Sequence, residues 1–395
     1  MTEVVIVGGA RTAFGKFGGA LQEKTAAELG GIAISGALMK AKVNPAEVDE
    51  VTMGMALQAG AGQNPARQAA HLGGLGWQVP AVTVNKVCAS GMRSLTMAVQ
   101  VIRAGDAGLI IAGGMESMSH VPYALSGDTR WGLRMGDSKV TDLLLRDGLH
   151  CAFDQMHMGD YANEMAAEYS VSRLAQDEWA LRSQTRAIQA TQQGVFRDEI
   201  TPVTVTGGKG SLFVIDTDEA PRADTNASKL ASLRPVFKSG GTITAGNSPG
   251  LNDGAAALVV MSRERANQSN YVPQATILSH ASVNVEPRKF PITPALVVQK
   301  LLRTNGIALP AIDLLEINEA FAAVVLVSGS ITLWDAEKVN VHGGAIALGH
   351  PIGASGARIV LTLIHALRRR GGGLGIAAIC SGGGQGDAVL IRVDE

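Results

Sequence analysis

The chain has 395 residues, 46% hydrophobic and 17% charged, which is the profile of a globular protein with room for two or three cores and excludes a disordered or fibrous chain. A formal net charge of −1 without a long basic run leaves no electrostatic footprint for nucleic acid, and the most apolar stretch, 320–327, is too short to span a bilayer. Glycine is abundant at 48 and aromatic residues are scarce at 4%, which favours tight turns, close helix packing and an α/β architecture.

Val4-Val5-Ile6-Val7 opens the chain as a strand, with no basic stretch and apolar segment before it, so no signal peptide and a cytoplasmic location are expected. A helix is predicted over 26–39 and strands over 48–54, 81–84 and 109–114. These short apolar runs read as strands buried on both faces.

Between the last two lies Val84-Asn85-Lys86-Val87-Cys88-Ala89-Ser90-Gly91, which reads as strand, sharp turn and helix. Leu95, Ala98, Val99 and Ile102 keep helical spacing and Gly105-Asp106 stops it, so Cys88 falls at or just before a helix N-terminus. Free backbone amides and the helix dipole stabilise a thiolate there and can hold the oxyanion of an attacked thioester. An isolated cysteine is more often a buried structural residue; this position, and the partners below, turn the reading toward a nucleophile. The other cysteines, Cys151 and Cys380, form no CxxC pair and no His/Cys metal set with it, which fits a reducing compartment.

From about residue 120 to 246 the alternation is interrupted by an amphipathic helix over 162–193 and a turn-rich stretch containing Gly207-Gly208-Lys209-Gly210, an excursion over the surface. A buried strand returns at 252–262 and is assigned to the first unit. The boundaries expected are residues 1–119 with 247–268 for the first core domain, 120–246 for an inserted loop domain, and 269–395 for the second core domain.

The last third repeats the order of the first, with a helix over 294–303 and a strand over 312–318. Val48 to Ile312 is an offset of 264, and Gly353-Ala354-Ser355-Gly356-Ala357-Arg358 follows Cys88-Ala89-Ser90-Gly91-Met92-Arg93 at 265. Order and offset together predict duplicated halves whose Cys88 and post-His350 helices meet at a pseudo-twofold axis. Arg368-Arg369-Arg370 before three glycines reads as a helix C-terminus, where cations favour the dipole.

Three further stretches lie at strand-to-helix junctions, where α/β proteins build active sites: Asn318-Glu319-Ala320-Phe321, His342-Gly343-Gly344 leading to Gly349-His350-Pro351, and Cys380-Ser381-Gly382-Gly383-Gly384. His350, on a Gly-rich loop, suits a base near a thiol. His342 competes with it, as do His71, His120, His150 and His157. Cys380 is a candidate acid or base acting on carbon.

Together with Gly113-Gly114-Met115-Glu116-Ser117-Met118-Ser119 and Gly343-Gly344-Ala345-Ile346-Ala347-Leu348-Gly349-His350-Pro351, these motifs resemble the thiolase family in family order and nearly end to end. The resemblance implies a duplicated five-layer αβαβα core with an inserted loop domain. It implies reversible Claisen condensation of two acetyl-CoA to acetoacetyl-CoA plus CoA. Cys88 would carry the acyl group, His350 activate it and Cys380 exchange a proton with substrate. One oxyanion hole would use His350 and a water held by Asn318, the other the amides of Cys88 and Gly382.

Met156-His157-Met158-Gly159 resembles the short-chain members of the family, in which the Met walls off the acyl pocket; a broader-chain 3-ketoacyl-CoA thiolase is the alternative. Ala245, Ser248, Phe290, Ala320 and Phe321 fall in stretches that the resemblance assigns to substrate, and Arg222 to the CoA nucleotide. Pro249 stands where the family has a serine on the pantetheine arm, and Ser248 is its neighbouring substitute. Phe290-Pro291 resembles variants that take 2-methyl-branched substrate and respond to potassium. No resident cofactor, nucleic acid or membrane is expected, and the family likeness implies a homodimer or homotetramer. A non-catalytic acyl-CoA-binding relative would have no need of both thiols and His350, and a decarboxylating ketoacyl synthase would not carry Cys380.

Overall fold

Side-chain alternation along the strands decides the layering of this protein. In the computed structural model, which describes residues 2–207 and 210–394, β1 (Val4–Thr12) sends Val5 and Val7 into one core and Val4 and Ile6 into another. Gly208 and Lys209 of the expected glycine-rich turn lie outside the described residues.

The first unit continues with α1 (Ala26–Ala41), β2 (Glu50–Gly54), α2 (Pro65–Leu72), β3 (Ala81–Val84), α3 (Ser90–Ala104), β4 (Leu109–Ser117) and, after the insertion, β5 (Asn252–Ser262). The second unit comprises β6 (Ala275–Asn284), helix Thr293–Asn305, β7 (Leu314–Ile317), helix Ala322–Thr332, helices Ala345–Leu348 and Ile352–Arg369, then β8 (Gly373–Ser381) and β9 (Gln385–Val393). The insertion supplies α4 (Met158–Glu168) and α5 (Arg173–Gln192), so the four helices of the second unit are α6 to α9 in the order given.

The main sheet runs β7-β8-β9-β6-β1-β5-β4-β2-β3. Within the first unit β2 and β4 are parallel while β4–β5 and β5–β1 are antiparallel; β7–β8, β8–β9 and β9–β6 repeat those directions. Each unit even carries a register shift at the corresponding place, between Ile6 and Gly8 and between Ile277 and Ser279. The duplication expected from the offsets is therefore a property of the fold. The two sheets join edge to edge where Val4, Val5 and Ile6 pair with Ile277, Thr276 and Ala275.

Helices α1 and α2 cover one outer face and α6 and α7 the other, while α3 and α9 fill the layer between the sheets. This is the five-layer αβαβα arrangement. Strands β4 and β5, buried on both faces, read as unbroken apolar runs for that reason. At the centre, a Cβ on Gly91 would lie 2.8 Å from the Gly353 carbonyl and one on Gly356 would lie 2.4 Å from the Met92 amide. Only glycine permits the two helix starts to approach so closely.

The single helix expected over 162–193 is two. Ser170 adopts a left-handed conformation (φ 55°) and Ser172 caps α5 by accepting from the Ala175 amide, so the chain turns between them. The insertion is anchored to the core by Arg11, fully buried, with Glu199 at 3.0 Å and Asp218 at 2.6 Å. Among the described residues no helix is long and apolar enough to cross a membrane.

Candidate active site

The segment carrying Cys88 is held in an unusual shape by its neighbours. Val87 has φ 47°, a region costly for a β-branched residue. Ser90 Oγ donates to the Val87 carbonyl (2.6 Å) and accepts from the Lys86 amide (2.8 Å). Ser381 Oγ, at the end of β8, donates to the Lys86 carbonyl (2.6 Å), and Lys86 Nζ pairs with the buried Asp387 of β9 at 2.7 Å. The second unit thus holds the nucleophile loop of the first. Cys88 sits two residues before α3, as its spacing predicted.

His350 lies between α8 and α9 and is buried. Its amide donates to Asn252 Oδ1 (2.9 Å). Ser355 Oγ donates to the Pro351 carbonyl (2.9 Å), so at 2.6 Å from Nδ1 it accepts the imidazole N–H. That assigns the proton to Nδ1 and leaves Nε2 as the acceptor, 3.4 Å from the Asn318 Nδ2 donor. Among the described residues the Asn318 Oδ1 has no protein partner. Glu319 is tied to α5 and α8 through Trp179, Ser183 and the Ile346 amide, which fixes the loop after β7.

Cys88, His350, Cys380 and Gly382 all line one cavity of about 230 Å³, together with His157, Met158, Ser248, Phe290, Ala320 and Phe321. Asn318 stands behind His350. Arg222 and Ala245 are exposed outside this cavity. Ser248 spends its hydroxyl on the Thr244 carbonyl (2.7 Å), and Pro249 lines the wall beside it. Of the competing histidines, His342 packs edge-on to Phe196, His71 stacks on Trp77 and His120 bonds Ser117; none of these lines the cavity. His157 caps α4 through Nδ1, stacks on Phe237 at 4.3 Å and meets His150 edge-on.

Electrostatics correct one expectation. Burial pushes the Cys88 thiol up to about 12, although the nearby amides of Gly382 and of Cys88 itself pull the other way. Burial, with Arg358 adding repulsion, takes His350 down to about 3. Cys380 is held well above its usual range by burial and by Cys88. The helix N-terminus does not overcome desolvation. The resting pair is a neutral thiol and a neutral imidazole.

Ser355 and Phe237 carry no signal in the sequence that marks them as part of the site. Ser355 belongs to the repeated Ala-Ser-Gly and marks itself only as a repeat. Phe237 lines the cavity and fills the space over Gly159, where a Cβ would lie 2.3 Å from its ring; nothing in its local sequence signals this.

Similarity to known proteins extends over nearly the whole chain. The thiolase N-terminal domain family matches residues 4–264 and the thiolase C-terminal domain family residues 271–393. An acetyl-CoA acetyltransferase of Escherichia coli is 51% identical over 99% of both chains. One from Cupriavidus necator is 48% identical over 99% of this chain and all of its own. The crystal structure of the Bacillus anthracis acetyl-CoA acetyltransferase superposes with a TM-score of 0.97 at 42% identity, covering 100% of this chain and 99% of that one.

Proposed function

The chain belongs to the thiolase family, and from that premise we propose that it is an acyltransferase that interconverts two acetyl-CoA with acetoacetyl-CoA and CoA through an acyl group on Cys88. The observation that carries this reading is the convergence of two thiols, Cys88 and Cys380, and one neutral imidazole, His350, on a single cavity.

In the cleavage direction the Cys88 thiol gives its proton to His350 Nε2 as sulfur attacks the ketone of acetoacetyl-CoA. Breaking the carbon–carbon bond leaves the enolate of acetyl-CoA, which takes a proton from Cys380. A thiol kept protonated by burial suits that step. CoA then returns a proton to Cys380 and attacks acetyl-Cys88, and His350 gives its proton back to the departing Cys88 sulfur. In this reading two sets of donors serve the developing oxyanions: the amides of Cys88 and Gly382, and His350, once Nε2 holds the Cys88 proton, with a water held by Asn318.

The short-chain assignment rests on Met158, Phe237, Phe290 and Phe321, which crowd the same cavity. The same reading places the protein in the cytoplasm as a homodimer or homotetramer without a resident cofactor. Trp131, Leu133 and Met135, exposed on one surface segment, support assembly.

Mass spectrometry after mixing with acetyl-CoA should find the acetyl group on the Cys88 peptide; an adduct elsewhere overturns the mechanism. In a series of 3-ketoacyl-CoA substrates from four to sixteen carbons, kcat/KM should be highest for acetoacetyl-CoA, and Met158→Ala should narrow the gap, each admitted methylene gaining up to about 0.8 kcal/mol. A preference for long chains would reassign the protein to the broad-chain thiolases.

A further inference from the structure

Glu116, in the Gly-Gly-Met-Glu-Ser stretch of β4, is a fully buried carboxylate with no cation within ion-pair reach among the described residues. Such a group is rare outside functional sites. Its partners are all backbone amides: Ala56 (3.1 Å), Leu57 (3.2 Å) and Gly353 (2.9 Å). All three are donors, so they favour the ionised form, which accepts them most strongly, while the O–H of a protonated carboxyl would find no acceptor among them.

Those amides belong to the two halves of the site. Gly353 is in the first turn of α9, three residues after His350, and it sits so close to β4 that a Cβ there would lie 2.5 Å from the Met115 carbonyl. Ala56 follows β2, and its carbonyl accepts from Asn85 Nδ2 (3.1 Å), while Asn85 Oδ1 accepts from the Val87 amide (3.0 Å). A continuous chain of hydrogen bonds therefore runs from the start of the His350 helix, through Glu116, to the residue before Cys88. The pseudo-symmetry sharpens the point. β4 and β8 are related by an offset of 264, which sets Glu116 on Cys380, and the helix-start offset of 265 sets Gly353 on Cys88. The Glu116–Gly353 bond is the counterpart, across the axis, of the catalytic thiol pair.

We propose that Glu116 is a positioning residue whose ionised carboxylate clamps the His350 helix start to the loop behind Cys88, and that its protonation loosens this clamp and sets the acid limit of catalysis. The proposal rests on the thiolase reading of Cys88 and His350. The titratable groups around the carboxylate are Asp253 of β5, itself bonded by Ser119, and the Cys88 thiol; neither is a cation. Burial lifts Glu116 to about 7 against the pull of its three amides, and Asp253 adds to the rise. Cys88 at about 12 and His350 at about 3 lie far from neutrality on either side. Activity is therefore lost as pH falls through about 7, where the carboxylate gains its proton.

The test is the single-turnover rate of Cys88 acetylation by acetyl-CoA as a function of pH, which involves no free CoA thiol as reactant. The wild-type rate should fall on the acid side with an inflection near 7. Glu116→Gln should be roughly ten- to a hundredfold slower at neutral pH, as expected for a base displaced by a fraction of an ångström, and flat through the same range. Glu116→Asp, shorter but ionisable, should restore an inflection. A wild-type rate flat through neutrality, or an inflection that survives in Glu116→Gln, overturns the proposal, since a merely structural residue would lower the rate and leave the profile in place. A wild-type enzyme that is never acetylated on Cys88 would instead overturn the thiolase mechanism. If Glu116→Gln does not fold, hydrogen exchange of wild-type amides 56, 57 and 353, corrected for intrinsic rates, decides: protection should drop as pH falls below about 7, and unchanged protection overturns the clamp.

Discussion

At the scale of single residues, the proposed reaction gives two thiols of the same chemistry different tasks, and their surroundings differ in the sense it requires. Cys88 precedes a helix and feels two amides that favour its thiolate, whereas Cys380 lies at the end of a strand with burial and Cys88 as its main influences. Cys380→Ala should therefore leave acetylation of Cys88 by acetyl-CoA intact while abolishing acetoacetyl-CoA cleavage, because only the carbon–carbon step needs a proton at carbon. Acetyl labelling and turnover measured on the same preparation separate the two; equal loss of both would make Cys380 structural. The residues that meet in the cavity were legible because reactive side chains stood in glycine-rich junctions. Their supports were not. Ser355, Glu116 and Phe237 act through a ring nitrogen, three backbone amides and an aromatic face, all contributed by segments distant in the chain except Ser355's own turn. The protonation states were also beyond reach, because desolvation depends on burial that five layers create together.

At the scale of elements, the contact between α3 and α9 leaves no room for a side chain on either helix start. A methyl group on Gly356 would meet the backbone of Met92 at 2.4 Å, and backbone cannot rotate away as a side chain can. Gly356→Ala should cost about 1–3 kcal/mol through separation of the two helices, seen as a lower thermal midpoint, and should reduce turnover because the proposed nucleophile and base stand at the two helix starts. Gly127→Ala, where no atom lies within 4 Å, is the control and should change neither. A Gly356→Ala protein as stable as wild type would show that the interface yields. Periodicity located the strands and the core helices to within a few residues, since each has a continuous apolar face. It failed in the insertion, where the pattern of α4 runs on into α5 and only Ser170 and the capping Ser172 interrupt it.

At the scale of the whole molecule, neither unit buries its own middle layer. Helix α9 packs against β4 and β5 of the first unit as well as against β7 and β8 of its own, and it is buried along most of its length. Residues 271–395 produced alone should therefore fail to fold cooperatively, and mixing them with residues 1–268 should restore acetoacetyl-CoA cleavage. A cooperative melt from 271–395 alone would refute this dependence. The repeat itself was readable from two offsets, but the edge-to-edge seam of β1 and β6 was not, because three backbone pairs leave no side-chain pattern. The repeat also has a genetic consequence. The units agree in strand order and direction, yet the first carries Asn85, Met115 and Glu116 where the second carries His350, Cys380 and their neighbours, and the second carries Gly353 where the first carries Cys88. Copying either half of the coding sequence over the other would thus yield a chain of two like units holding either two nucleophile positions without a base or a base without a nucleophile. The likeness of the two halves, harmless to the fold, makes such a copying event silent in topology and lethal to activity.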